Sequence, residues 1–182
     1  DSSYYRYFNH FQPGCLDYIL NRCHMTVIPN IRTLADFFHS HECHVVYLRL
    51  CGTDSRRQDL HRFFRQTWEK GLRLGFRDVY PLQDDYMADV VDELRPRPDS
   101  LVINKTTFSP FAYTEIEAIL LERDIRTLVF TGLATSQCVE TTARDASDRG
   151  FEVIHISDAQ ADYDESSHNA SLFSSSGVCG GN

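Results

Sequence analysis

With 182 residues, 42% of them hydrophobic, the chain is long enough to bury one sizeable core and too short for two ordinary domains, so a single domain over residues 1–182 is expected. A formal net charge of −8 with scattered acidic residues leaves no basic footprint for nucleic acid or an anionic membrane. No apolar run approaches bilayer-spanning length, and the Tyr- and Ser-rich first residues lack a signal peptide's apolar core, so a cytoplasmic protein without nucleic-acid or membrane partners is expected.

In chain order, Ile28, Ile31, Leu34, Ala35 and Phe38 recur at helical spacing, and Pro29 sits where a first helical turn tolerates it, which predicts a helix over Thr26 to Phe38. The His-rich stretch that follows leads into Val45-Val-Tyr-Leu48, short and almost continuously apolar, as expected of a parallel strand covered on both faces. Gly52 to Asp85 carries many charges with Trp68, Phe76 and Tyr80 interspersed and no clear period; an excursion over the sheet edge, lid-like, is expected there. Leu101 to Ile103 reads as a strand, Thr114 to Leu121 as a helix, Thr127 to Thr131 as a strand, Ser136 to Arg149 as a helix and Phe151 to Ile156 as a strand. Thr114 and Glu117 have capping-box spacing, and Gly150 suits a left-handed residue just past a helix end. Short links between alternating strands and helices imply right-handed crossovers and a mainly parallel central sheet between two helical layers, a three-layer α-β-α sandwich of Rossmann-like topology.

Ligands of open parallel sheets bind at the carboxyl ends of the strands, where helix N-termini also point. Lys105 follows one such strand, Cys138 lies in the first turn of the helix after another, with Thr135 or Ser136 as its N-cap, and Asp158 and Asp162 follow the last. A helix start and a nearby ammonium both favour thiolate over thiol, and the free N–H groups there can hold a developing oxyanion, a combination suited to attack on a carbonyl. The alternative is that Cys138 is a small buried apolar residue and Lys105 a surface charge. The six cysteines, Cys15, Cys23, Cys43, Cys51, Cys138 and Cys179, form no Cys-x-x-Cys pair and fit a reducing compartment.

The stretch Leu101-Val-Ile-Asn-Lys-Thr-Thr-Phe-Ser-Pro-Phe-Ala-Tyr-Thr114 resembles the lysine motif of isochorismatase-like cysteine hydrolases, and Thr131-Gly-Leu-Ala-Thr-Ser-Gln-Cys-Val-Glu-Thr-Thr-Ala-Arg-Asp-Ala146 resembles their nucleophile motif. Asp158-Ala159 and His168 also stand where that pattern has Asp-Ala and a later His, and the resemblance runs from about Val27 to Leu172. It implies an Asp, Lys, Cys triad that cleaves an amide or ureido C–N bond of a small molecule through a thioester, as in ureidoacrylate and N-carbamoyl amidohydrolases. It also implies a cis peptide between Leu133 and Ala134 and an oxyanion hole from the N–H groups of Ala134 and Cys138. Oligomers are usual among such relatives, so a homo-oligomer is expected. The family's Asp ends a first strand that is not visible here; Asp1 is the early candidate, with Asp17 the alternative, and the domain is expected to lack that strand.

Phe108, Phe111, Leu133 and Trp68 are candidates to contact substrate, with core packing the alternative for the aromatic ones. Nicotinamidase-type relatives carry a metal-binding Asp-x-His and a second His after the second strand; the corresponding region, Leu50 to His61, is read as lacking that Asp-x-His and is not expected to bind a catalytic metal, and neither is the His39, His41 and His44 group at a helix end. No cofactor is expected. Three other readings remain: an isochorismatase-type ether hydrolase, a catalytically impaired binding protein of the same fold, and a redox-sensing thiol protein.

Overall fold

A computed structural model describes residues 2–179, with side chains through Ser175. The chain opens with two helices, α1 (Ser3–Phe11) and α2 (Asp17–Arg22), and a π-helical turn carries α2 into α3 (Ile28–Ser40). Sequence periodicity finds α3 and misses α1, where Tyr4, Tyr7, Phe8 and Phe11 have helical spacing but aromatic residues are weak helix formers. Tertiary packing decides there: Tyr7 is buried against Leu60, Phe64, Val79 and Tyr80.

The strands are β1 (Val46–Leu50), β2 (Leu101–Lys105), β3 (Thr127–Leu133) and β4 (Glu152–Ala161). Helices α4 (Arg62–Arg73), α5 (Ile116–Glu122), α6 (Glu140–Asp148) and α7 (Glu165–Cys179) alternate with and follow them. The α/β alternation expected from sequence is present, and both strand pairs are parallel. β1 pairs with β2 from Val46 opposite Leu101 to Leu50 opposite Lys105, and β3 pairs with β4 from Thr127 opposite Glu152 to Leu133 opposite Ala161, with a register shift between Phe130 and Gly132. β4 runs five residues beyond the expected Ile156, so Asp158 lies within the strand and Asp162 directly after it.

The ladder is interrupted in one place. β1 and β3 do not pair, and a cleft of about 1130 Å3 lies between them, bordered along the length of both strands and reaching Lys105 and Cys138. Ile31, Leu34, Ala35 and Phe38 of α3 also face it, and no residue of α3 is fully buried.

Three clusters hold the layers. Ile103 of β2, Ile116 and Leu120 of α5, Ala143 and Ala146 of α6, and Phe151 and Val153 pack on one side of the strands. Leu16, Ile19, Cys23 and Val27 pack on the other, against Ala161 at the end of β4. The third cluster corrects the reading of Gly52 to Asp85: the segment contains α4, buries Phe64, Val79 and Tyr80, and is tied down by Arg57, whose Nε donates to the Tyr80 carbonyl at 3.0 Å. Each fully buried aliphatic or Phe side chain contributes about 1.5–3 kcal/mol over leaving it exposed, so all three clusters matter to stability.

Two local expectations resolve differently. Gly150 takes φ 87°, as a left-handed residue past α6 requires. Thr114 Oγ1 accepts the Ile116 N–H at 3.2 Å, but the Glu117 carboxylate pairs with Arg149 instead of turning back on Thr114, so the box is half formed. No helix among the described residues is long and apolar enough to cross a membrane.

Ala143 and Ala146 are fully buried where α6 lies on the sheet. Ala146→Leu should therefore destabilise the fold by about 1–3 kcal/mol through overpacking. A urea melt with an unchanged midpoint would show spare room under α6 and contradict this packing.

Candidate active site

Lys105 ends β2 with its side chain turned inward, 4% exposed. A buried ammonium must place its protons on acceptors, and the bend after β2 supplies them: Nζ donates to the carbonyls of Thr107 at 2.8 Å and Phe108 at 3.0 Å. Its third contact is Cys138 Sγ at 3.1 Å. The bend is itself fixed to α6, since Ser109 Oγ donates to Asp145 Oδ2 at 2.7 Å. The reading of Lys105 as a surface charge is thereby excluded.

Cys138 lies in a π-helical turn, Thr135–Val139, that runs directly into α6. β3 reaches this turn through Gly132, at φ 105°, and a cis peptide bond between Leu133 and Ala134. The expected capping by Thr135 or Ser136 is replaced by a long-range cap. The Ser136 N–H donates to Asp162 Oδ2 at 2.6 Å, while Thr135 Oγ1 lies 2.8 Å from His168 Nδ1. Sequence spacing cannot show this, because the capping carboxylate is 26 residues away. Cys138 is partly exposed, so a reactant can reach its sulfur.

The same thiol faces three phenols, of which only Tyr80 is among the pocket-lining candidates that the sequence offers. Tyr4 and Tyr163 hydroxyls are 2.8 Å apart, and the Tyr4 and Tyr80 rings are 5.9 Å apart. Burial pushes all three phenols up, and charge on Cys138 adds to the rise in each, so they stay neutral donors near neutral pH. Nothing in the sequence marks Tyr4 as a site residue, and Tyr163 is signalled only by standing next to Asp162.

The remaining candidates separate. Leu133 is 53% exposed on the cleft, and Phe111 lines the cleft's floor while buried in the core. The Phe108 ring lies tilted against Phe64 at 4.6 Å and edge-on to His61 at 5.1 Å while its carbonyl holds Lys105. Trp68 is engaged elsewhere: Nε1 donates to the Arg77 carbonyl at 3.2 Å and the Arg57 guanidinium lies over its ring. Asp1 lies outside the described residues; Asp17 is exposed in the first turn of α2.

Asp59-Leu60-His61 does have the Asp-x-His spacing of metal-dependent relatives, contrary to the reading of that region from sequence. In the structure His61 Nδ1 accepts the Phe63 N–H at 3.2 Å and caps α4, and Asp59 Oδ2 accepts the Thr53 N–H at 2.6 Å. His41 Nδ1 lies 2.8 Å from the Phe37 carbonyl. Among the described residues no group of three or more His, Cys, Asp or Glu side chains is arranged to hold a metal ion.

A thiol at a helix start, beside an ammonium at a parallel strand's carboxyl end, is a combination suited to nucleophilic chemistry on a carbonyl. Residues 24–180 match the isochorismatase domain, and the chain belongs to the isochorismatase family of hydrolases. It is 46% identical over 70 residues to ureidoacrylate amidohydrolase RutB of Methylorubrum extorquens, a stretch covering 38% of this chain and 28% of that relative. Against the protein of the same name from Agrobacterium fabrum it is 41% identical over 70 residues, 38% of this chain and 31% of the relative. The matched stretch thus spans under a third of these curated relatives. Among solved structures, an isochorismatase-like hydrolase from Alkaliphilus metalliredigens superposes with a TM-score of 0.70 at 25% identity, covering 86% of this chain and 78% of the other. N-carbamoylsarcosine amidase from Thermoplasma acidophilum gives 0.66 at 24% identity, covering 87% and 83%, and shares the fold.

Cys138 should be the fastest of the cysteines to react with iodoacetamide near neutral pH, since it alone among the described thiols contacts an ammonium at a helix start. Lys105→Met should slow that reaction by about tenfold or more, a ~1.4 kcal/mol effect well inside the ~4 kcal/mol two charges exchange near 4 Å at an effective dielectric of about 20. Peptide mapping that finds equal labelling of every accessible cysteine in the unsubstituted protein, or an unchanged Cys138 rate in Lys105→Met, would remove the basis for a special thiol.

Proposed function

We propose that the chain is a cysteine-dependent amidohydrolase in which Cys138 attacks the carbonyl carbon of a small amide or ureido substrate. The observation that carries this is the 3.1 Å approach of Lys105 Nζ to Cys138 Sγ at a helix start. In this reading the ammonium stabilises the thiolate, whose electron pair forms the C–S bond. The N–H groups of Ala134 and Cys138 receive the negative charge that moves onto the carbonyl oxygen. Collapse of the tetrahedral intermediate breaks the C–N bond, the nitrogen leaves with a proton from a general acid, and water hydrolyses the thioester. The matched ureidoacrylate amidohydrolases motivate the choice of a ureido group.

Asp1 is proposed as that acid and as the base that takes the thiol proton. It would be delivered at the end of a further strand seated between β1 and β3. The open cleft between two facing, unpaired strand edges supports this, since apolar parallel strands are ordinarily paired on both sides, and so does the apolar side of α3 that faces the same space. Leu133, on the cleft beside the nucleophile turn, and Phe108 are the proposed contacts for substrate. A binding protein of the same fold is the second reading, and the neutral phenols around the thiol favour it, since none can serve as a base near neutral pH.

Release of ammonia or amine from a panel of small amides and ureido acids decides between the two readings, and Cys138→Ala should abolish it. In a chain carrying a strand-forming segment ahead of Asp1, Asp1→Asn should cost about 10²–10⁴ in kcat, the usual worth of a positioned acid and base, while Asp17→Asn should be nearly silent. Full activity of Asp1→Asn beside an inactive Asp17→Asn reverses the assignment, and no release by the unsubstituted protein favours the binding protein. A chelator should leave release unchanged; a loss that zinc restores would return a metal to the mechanism.

A further inference from the structure

The nucleophile turn is held from behind by side chains from three other parts of the fold: buried His168 of α7, half-buried Arg22 of α2 and buried Asp162 just after β4. Thr135, three positions before Cys138, is fully buried with Oγ1 2.8 Å from Nδ1 of His168 on α7, itself 3% exposed. The other ring nitrogen, Nε2, lies 3.2 Å from Nη2 of Arg22 on α2. That guanidinium also donates through Nε to the Gln160 carbonyl at 3.0 Å and through Nη2 to the Ser157 carbonyl at 3.1 Å, which fixes its plane. Guanidinium nitrogens carry only donors, so the Nε2 facing them accepts. The ring is then neutral, with its proton on Nδ1, and donates to Thr135 Oγ1. Beside it, Asp162 holds the Ser136 N–H through Oδ2 at 2.6 Å and the Tyr163 N–H through Oδ1 at 2.8 Å.

We propose that Arg22 and His168 are positioning residues for Cys138: the guanidinium fixes the neutral Nδ1–H form of His168, and that donor holds Thr135 and with it the turn that carries the thiol. The inference rests on Cys138 being the nucleophile. Neither residue touches substrate, and both act through the backbone of residues 135–138.

The arrangement makes the turn sensitive to acid. Burial and then the Arg22 charge hold His168 below its ordinary value of 6.5, while Asp162 from the end of β4, the Ser157 carbonyl and Glu165 from α7 act in the opposite direction and are outweighed. A second proton on the ring would set a donor and a positive charge against the guanidinium. Since the value in the folded protein is depressed, the anchor is intact above pH 6.5 and is lost as pH falls below it.

The test compares wild type, His168→Ala, His168→Asn and Arg22→Gln by the pH dependence of Cys138 alkylation with iodoacetamide, alongside thermal melts and the kinetics of amide or ureido hydrolysis. His168→Ala should lower kcat by about 10² with KM within about twofold, because a small misplacement of a reacting group costs rate and spares binding. The Asn amide places a donor near the Nδ1 position and does not titrate. His168→Asn should therefore restore kcat to within about threefold of wild type and lose the steep fall in alkylation below pH 6.5 that wild type shows beyond ordinary thiol titration. Arg22→Gln, which can donate to Nε2 without a charge, should keep kcat and move that fall to higher pH. A folded His168→Ala with wild-type kcat and alkylation overturns the proposal, as do superimposable pH profiles for wild type and His168→Asn. If His168→Ala does not fold, the comparison of wild type with His168→Asn decides. If no substrate is hydrolysed, the alkylation profiles still decide on the anchor, and the failure belongs to the proposed function.

Discussion

The contact between the Lys105 ammonium and the Cys138 sulfur ties together parts of the molecule that secondary structure leaves separate. β2 is paired with β1, β3 is paired with β4, and no ladder joins the two pairs. Lys105 belongs to the first pair and Cys138 to the turn that follows the second. An ammonium withdrawn from water needs all its protons placed, and the carbonyls of Thr107 and Phe108 take two, so the third is aimed at the sulfur by the shape of the bend. That bend is in turn bonded to α6 through Ser109 and Asp145. The polar contacts that satisfy one buried charge also fix the distance between the two halves of the sheet at its carboxyl end.

Away from that end the halves stand apart. β1 and β3 are apolar strands of the kind found paired on both sides, yet each offers one unpaired edge to the cleft. Exposed strand edges with apolar side chains are a liability that folded proteins ordinarily cover. The apolar side of α3 faces the same space from one layer and Phe111, Ile116 and Leu120 from the other. The cleft therefore has the surroundings of an interior strand: backbone donors and acceptors at its sides and apolar surface above and below.

The turn that carries Cys138 shows a second way in which distant residues do local work. A helix start leaves unpaired N–H groups, and a Ser or Thr at the first position commonly takes one of them. Here Thr135 is committed to His168 and the cap comes from Asp162, so the groups nearest the thiol remain tied to α7 and to the end of β4. The phenols of Tyr4, Tyr80 and Tyr163 come from α1, from the segment after α4 and from the residue following that cap, and meet only because three separate elements converge.

Local chemistry was readable along the chain wherever one segment carried its own signal. The apolar runs of β1 to β4, the period of α3, α5 and α6, Gly150, and the placing of Lys105 at a strand end and Cys138 at a helix start all follow from spacing within about a dozen residues, because strand and helix periods are local properties. The helices α1 and α4 were not readable in this way. Their aromatic and charged residues have weak or mixed propensities, and packing of Tyr7 against Phe64 and Val79 is what decides them. Asp59 and His61 show the converse, a spacing that suggests a metal pair while Asp59 Oδ2 and His61 Nδ1 each accept a nearby backbone N–H. Only the tertiary structure decided that the ladder breaks between β1 and β3, that Asp162 caps the turn carrying Cys138, that Arg22 meets the ring of His168 and that Trp68 is engaged away from the thiol. Each of these depends on contacts across the fold, and a contact between residues far apart in sequence leaves no trace in the pattern of either segment alone.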